Sequence, residues 1–139
     1  MSSAGSYTDF HLDFGGTSVW YHLLFGATVF LLAPPTPAVL SAYEAFTFDS
    51  GRFLPDLLPP GIFMRAELKG GKTMFIPSGW VHAVLTPVDS LEFGGNSLHA
   101  FALKEQAEVR DIEERTQVAP EMRFPLDADM YWRAVLELS

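Results

Sequence analysis

The chain has no cysteine among its 139 residues. That excludes a disulfide framework and leaves any metal to be held by His, carboxylate or backbone oxygen, and it fits a reducing compartment. Basic residues are also scarce, with nine Lys and Arg against 17 Asp and Glu and a formal charge of −8. This balance argues against a broad phosphate-binding face, so no direct nucleic-acid binding is expected, and it leaves a lysine-rich partner compatible. A long apolar run is missing as well. The longest, residues 19–35, is interrupted by His22 and Gly26, whereas a membrane-spanning helix needs about 20 apolar residues. The opening residues, Met1 to Ser6, lack the basic and then apolar order of a secretory signal.

What the chain does have is apolar and aromatic. At 48% hydrophobic it can bury one domain-sized core, and 12 Phe, ten Pro and 11 Gly predict short strands and many turns. Residues 7–14 alternate polar and aromatic side chains with the period of a strand, which sets His11 and Asp13 on one side. After Gly15-Gly16, two β-rich runs, 17–25 and 28–33, flank Gly26-Ala27, a hairpin signal that puts Tyr21 and Thr28 on a shared face. Pro34-Pro35 closes this sheet run, and Thr36 caps a short helix from Pro37 to Phe46. Residues 47–61 read as a loop. Strands resume over 62–69, 73–76, 81–86, 90–93 and 97–103, a spacing suited to a barrel or sandwich. Helical spacing then marks 105–116 and 126–138. The reading is therefore a mainly β domain, with a β-barrel portion over residues 1–104 and a C-terminal helical extension over 105–139.

Metal ligation needs neutral imidazoles and an ionised carboxylate converging on one ion, and the i, i+2 spacing of His11-Leu12-Asp13 supplies two such ligands from one strand. His82, delivered by the Pro77-Ser78-Gly79 turn, is the candidate third. Two His and one carboxylate leave open positions on the metal, the arrangement used by non-haem Fe(II) oxygenases to bind cosubstrate and O2. Taken alone, the spacing favours the plainer reading, a chance pair and a hydrogen-bonded core histidine.

The surrounding stretches change that balance. Ser6-Tyr-Thr-Asp-Phe-His-Leu-Asp-Phe-Gly-Gly-Thr-Ser-Val-Trp-Tyr-His22 and Phe75-Ile-Pro-Ser-Gly-Trp-Val-His-Ala-Val-Leu-Thr-Pro-Val-Asp-Ser-Leu-Glu-Phe-Gly-Gly-Asn96 closely resemble the signature stretches of JmjC histone lysine demethylases, in the plant-homeodomain-finger and F-box-linked branch. Residues 110–123 and the last, Trp-containing helix also look like that branch. The resemblance implies a double-stranded β-helix of the cupin-like jelly-roll type, Fe(II) ligands His11, Asp13 and His82, and 2-oxoglutarate as cosubstrate. It further implies that Thr8 hydrogen-bonds 2-oxoglutarate with Tyr21 nearby, and that decarboxylation of 2-oxoglutarate by O2 is coupled to hydroxylation of a methyl-lysine N-methyl group, releasing formaldehyde. A histone tail is then the partner and the nucleus the place of action.

Two departures from the pattern stand out. The resemblance leads to a Lys on the strand after Gly26-Ala27 to pair with the distal carboxylate of 2-oxoglutarate, but this chain has Thr28 there, and Arg65, Lys69 and Lys72 are substitutes only by elimination. Only ten residues precede His11, so the stretch reads as an N-terminally truncated barrel with exposed sheet edges. His22 and His99, the latter in a strand, read as structural, and Trp20 and Trp80 as core rather than a methylammonium cage. Asn96 either permits a tight turn with Gly94-Gly95 or lines the cosubstrate pocket. The acidic run 105–114 reads as a solvated helix face. Thr28 keeps open a second hypothesis, a catalytically impaired JmjC module acting as a chromatin-associated interaction domain. A cupin-type metal protein acting on a small molecule is a third.

Overall fold

A computed structural model describes residues 1–49, 51–123 and 127–138. Its elements are β1 (Ser6–His11), β2 (Ser18–Ala33), α1 (Pro37–Phe48), β3 (Met64–Lys69), β4 (Lys72–Ile76), β5 (Val81–Ser97), α2 (Leu103–Arg115) and α3 (Asp127–Leu138). The five strands form one antiparallel sheet in the order β1-β5-β2-β3, with β4 pairing the first half of β2 and β3 the second. This is mostly antiparallel sheet followed by helices, the architecture of a cupin-like jelly roll.

Two long strands replace the shorter pieces expected. No hairpin forms at Gly26-Ala27, because β2 runs on and pairs β5 from Ser18↔Ser97 to Ala33↔Val81, with register shifts between Leu23 and Val29. Gly26 takes φ 92, and the buried Ser90 hydroxyl shares its one proton between the Val88 and Ala27 carbonyls, at 2.8 and 3.1 Å. These bonds hold a bulge where the dipeptide promised a turn, and bulges bend and twist a strand without ending it. They also reverse the alternation, which is how Tyr21 comes to pack on Phe30, at 5.5 Å between ring centroids, on the face shared with Thr28. Likewise 81–86 and 90–93 are one strand. Residues 97–103 are not a strand: β5 ends at Ser97, and a 3-10 turn at Ala100–Ala102 leads into α2. Leu126 lies outside the described residues.

α1 starts as its sequence dictates, with Pro37 in the first turn and the Thr36 hydroxyl accepting from the Val39 N–H at 3.3 Å. It lays Val39 and Phe46 on one face of the sheet, against Phe10, Ala33, Val81 and Ala83. The other face carries a second apolar cluster, Val19, Leu23, Phe30, Leu32, Leu68 and Ile76. Burying Val81 and Ala83 beneath α1 therefore turns His82 and Val84 to the second face, since neighbours along a strand point oppositely. Each large apolar residue so buried contributes about 1.5–3 kcal/mol.

Candidate metal centre

His11, Asp13 and His82 come together. Their ligand atoms all lie within 4.8 Å of one another. His11 and His82 are direct partners across β1 and β5, so their side chains share a face, with ring centroids 4.2 Å apart. Asp13 arrives differently from the expected single strand. β1 ends at His11, after a register shift between Thr8 and His11, and Asp13 caps a 3-10 turn at Phe14–Gly16. From there its Oδ2 lies 3.8 Å from His82 Nε2.

The tautomers follow from the hydrogen bonds. His11 Nδ1 is 2.8 Å from the Asp9 carbonyl and His82 Nδ1 is 3.0 Å from the Trp80 carbonyl. A carbonyl oxygen only accepts, so each Nδ1 carries the proton and each Nε2 presents its lone pair. His82 Nε2 is buried and has no hydrogen-bond partner among the described residues. Leaving such a group unmade costs about 1–3 kcal/mol, and a cation held between the two imidazoles and the Asp13 carboxylate would satisfy it. The residues present thus fit a divalent metal with N and O ligands.

Burial lowers the His82 pKa below its ordinary 6.5, with His11 adding to the effect and Asp13 and the Trp80 carbonyl opposing it. Below 6.5 the unfolded chain takes up a proton that folded His82 refuses, so this residue makes metal-free stability fall as pH drops from about 6.5. Thermal unfolding of metal-free protein between about pH 7.5 and 5 should show that fall, and His82→Asn should flatten it. A pH profile identical in the two proteins would remove His82 as its source.

The Asp13 turn rests on α2. Gly15 and Gly16 both have positive φ, 61 and 63. The Gly15 N–H donates to Glu113 Oε1 at 2.8 Å, and a Cβ on Gly16 would meet the backbone Cα of Gln106 at 2.8 Å. Glu113 and Gln106 are buried, so the run 105–114 is not simply a solvated face. Sequence reasoning missed this support, although the glycine pair and the i, i+7 spacing of Gln106 and Glu113 were its visible trace. Beside the turn, a cavity of about 440 Å³ is lined by His11, Asp13, Tyr43, Thr47, Val109 and Glu113. Burial raises the Tyr43 pKa, against a hydrogen bond from the Leu12 backbone.

The other sequence candidates are more dispersed. Tyr21 is half-buried, and burial, with Asp13 and then Glu92, pushes its hydroxyl up to about 12, so it stays protonated at neutral pH. Thr8 is exposed on β1 opposite Val84. Asn96 Nδ2 donates to Thr17 Oγ1 at 2.9 Å near the end of β5. Thr28 is fully buried with Oγ1 unpartnered among the described residues. Replacing an unmade buried hydroxyl by methyl should stabilise the fold, so Thr28→Val is expected to gain about 1 kcal/mol in denaturant unfolding. A loss of similar size would show that the hydroxyl is satisfied. His22 Nδ1 bonds Thr73 Oγ1 at 2.8 Å, and His99 Nε2 bonds Ser18 Oγ at 2.8 Å, which in turn meets Ser78 Oγ at 3.0 Å. Neither joins the cluster. Trp80 packs against the second apolar cluster, but Trp20 is a surface residue, edge-on to Phe93 and lying over Gly95, because β2 presents it on the outer side.

An antiparallel jelly-roll sheet that gathers two His and one Asp defines the chain as a cupin-like domain with a cluster suited to a divalent metal. No family model matches the chain. It is 51% identical over 135 residues to Lysine-specific demethylase 2B of Mus musculus, covering 95% of this chain and 10% of the relative. Against Lysine-specific demethylase 2A of Xenopus tropicalis it is 50% identical over 135 residues, 95% of this chain and 12% of the relative. A third relative, JmjC domain-containing histone demethylation protein 1 of Yarrowia lipolytica, is 44% identical over 142 residues, 99% of this chain and 28% of its own length. Nearly the whole chain is thus similar to one stretch of JmjC-domain histone lysine demethylases of the plant-homeodomain-finger and F-box-linked branch. It spans between 10% and 28% of these three relatives.

Proposed function

We propose that His11, Asp13 and His82 hold Fe(II) and that the chain is the metal-bearing part of a histone methyl-lysine demethylase, with 2-oxoglutarate and O2 as cosubstrates. The observation that carries this reading is the His-Asp-His cluster, with donor atoms within 4.8 Å, in a chain about half identical to named lysine demethylases. When bound, the metal supplies the O2 chemistry that oxidises an N-methyl group. The chain's own residues do the rest. The Asp9 and Trp80 carbonyls orient the two imidazoles with Nε2 toward the ion, and the α2-braced turn holds the carboxylate. Tyr21 offers a neutral hydroxyl near Asp13, and Thr8 and Asn96 are the remaining cosubstrate contacts. The substrate is a histone tail, whose positive charge suits a chain of −8, and the place of action is the nucleus. No described helix is long and apolar enough to cross a membrane. The functional unit is read as a β-barrel portion over 1–104 extended by the helices of 105–139.

Thr28 favours a second reading, a JmjC module that binds metal but is catalytically impaired and acts as an interaction domain in chromatin. Formaldehyde release from a methyl-lysine histone peptide, measured with Fe(II), 2-oxoglutarate and O2, separates the two. Turnover that disappears in His82→Ala supports the enzyme. Stoichiometric Fe(II) binding without formaldehyde supports the impaired module, and absence of Fe(II) binding contradicts both.

A further inference from the structure

Thr28 is 0% exposed, and its hydroxyl has no partner among the described residues. Leu32 stands directly across from His82, so alternation along β2 sets Thr28, Phe30 and Leu32 on the face that carries the metal cluster. Leu68 faces Thr28 from β3, Phe30 with the Tyr21 ring tilted against it continues the same face, and the buried Thr86 of β5 adds a neutral hydroxyl. The cations nearby in sequence do not serve this face. Arg65 and Lys69 alternate to the side opposite Leu68 and are exposed, and Lys72 is exposed at the head of β4. A carboxylate brought to Thr28 would lose its hydration and meet neutral hydroxyls in place of an opposed charge, and a buried carboxylate without one is strongly disfavoured.

Resting on the metal-centre reading above, we infer that Thr28 deprives this chain of the ability to tell a 2-oxo dicarboxylate from a 2-oxo monocarboxylate. The centre takes a 2-oxo acid through the end that chelates the metal, and a second carboxylate at the far end adds no affinity. That carboxylate gains nothing without an opposed cation, while the chelating end is the same in both classes of acid. Thr28 is in this sense a specificity-determining residue, and 2-oxoglutarate fits the site at its metal end only.

The test uses the whole chain loaded anaerobically with Fe(II), bound iron being measured first by atomic absorption. Pyruvate and 2-oxoglutarate are then titrated in parallel, following the charge-transfer absorption of the chelated metal. The native chain should bind the two within about threefold of each other, and Thr28→Lys should favour 2-oxoglutarate by about tenfold or more, roughly 1.4 kcal/mol. Thr28→Val, nearly isosteric and expected to fold at least as well, should leave the native ratio unchanged. A tenfold preference for 2-oxoglutarate in the native chain overturns the inference, as does a tenfold change of the native ratio in Thr28→Val or the failure of either acid to bind iron-loaded native protein. If Thr28→Lys does not fold, the native ratio and Thr28→Val decide alone. Absence of bound iron is a separate result, and it removes the metal-centre reading on which the inference rests.

Discussion

Asp13→Ala is expected to weaken divalent-metal binding by roughly 100-fold or more, since even an outer hydrogen-bond partner of a metal ligand typically accounts for 10–100-fold. Asp13 is the only carboxylate in the cluster, and it lies 3.8 Å from His82 Nε2. Without it, two neutral imidazoles remain, which satisfy neither the charge of a hard divalent cation nor its oxygen preference. Calorimetric titration with Fe(II) under anaerobic conditions measures the effect. His22→Ala is the matched control, because His22 bonds Thr73 away from the cluster and its loss leaves all three donors in place. Equal weakening in the two variants would mean that the ion is held elsewhere.

Gly16→Val is expected to destabilise the chain by about 3 kcal/mol or more, combining about 1–3 kcal/mol for a β-branched residue at positive φ with about 1–3 kcal/mol for overpacking. The φ is 63, and the obstacle is backbone, the Gln106 Cα at 2.8 Å, with Val109 Cβ next at 3.1 Å. Neither gives way by a change of rotamer. The strain falls on the turn that presents Asp13, so metal affinity should drop together with stability, which a surface substitution would not do. Denaturant unfolding followed by metal titration checks both. Near-native stability would show that α2 does not sit against this turn.

The contrast between what the chain's letters disclosed and what they hid has a physical pattern. His11 and His82 were legible because a strand register turns spacing into facing, and a Pro-Ser-Gly turn signals where a strand begins. Asp13 does lie beside them, but by another route than its spacing implied. The i, i+2 spacing assumed a continuous strand, whereas the positive-φ glycines that follow end it and swing the carboxylate in from a turn. Gly26-Ala27 misled for a related cause. A glycine that takes positive φ serves a hairpin and a bulge equally, and only Ser90, 63 residues away, decides between them by stitching Ala27. Long-range partners of this kind have no local trace. The same holds for Glu113, an acidic residue in an acidic run, whose burial depends on α2 lying across the glycine turn.

The metal centre is the central claim, and X-ray absorption at the iron edge of the Fe(II)-loaded chain tests it most directly. Two imidazole ligands and an oxygen-rich remainder are predicted, with one imidazole lost in His82→Ala. A shell without imidazole scattering, or one that His82→Ala leaves unchanged, would contradict the assignment.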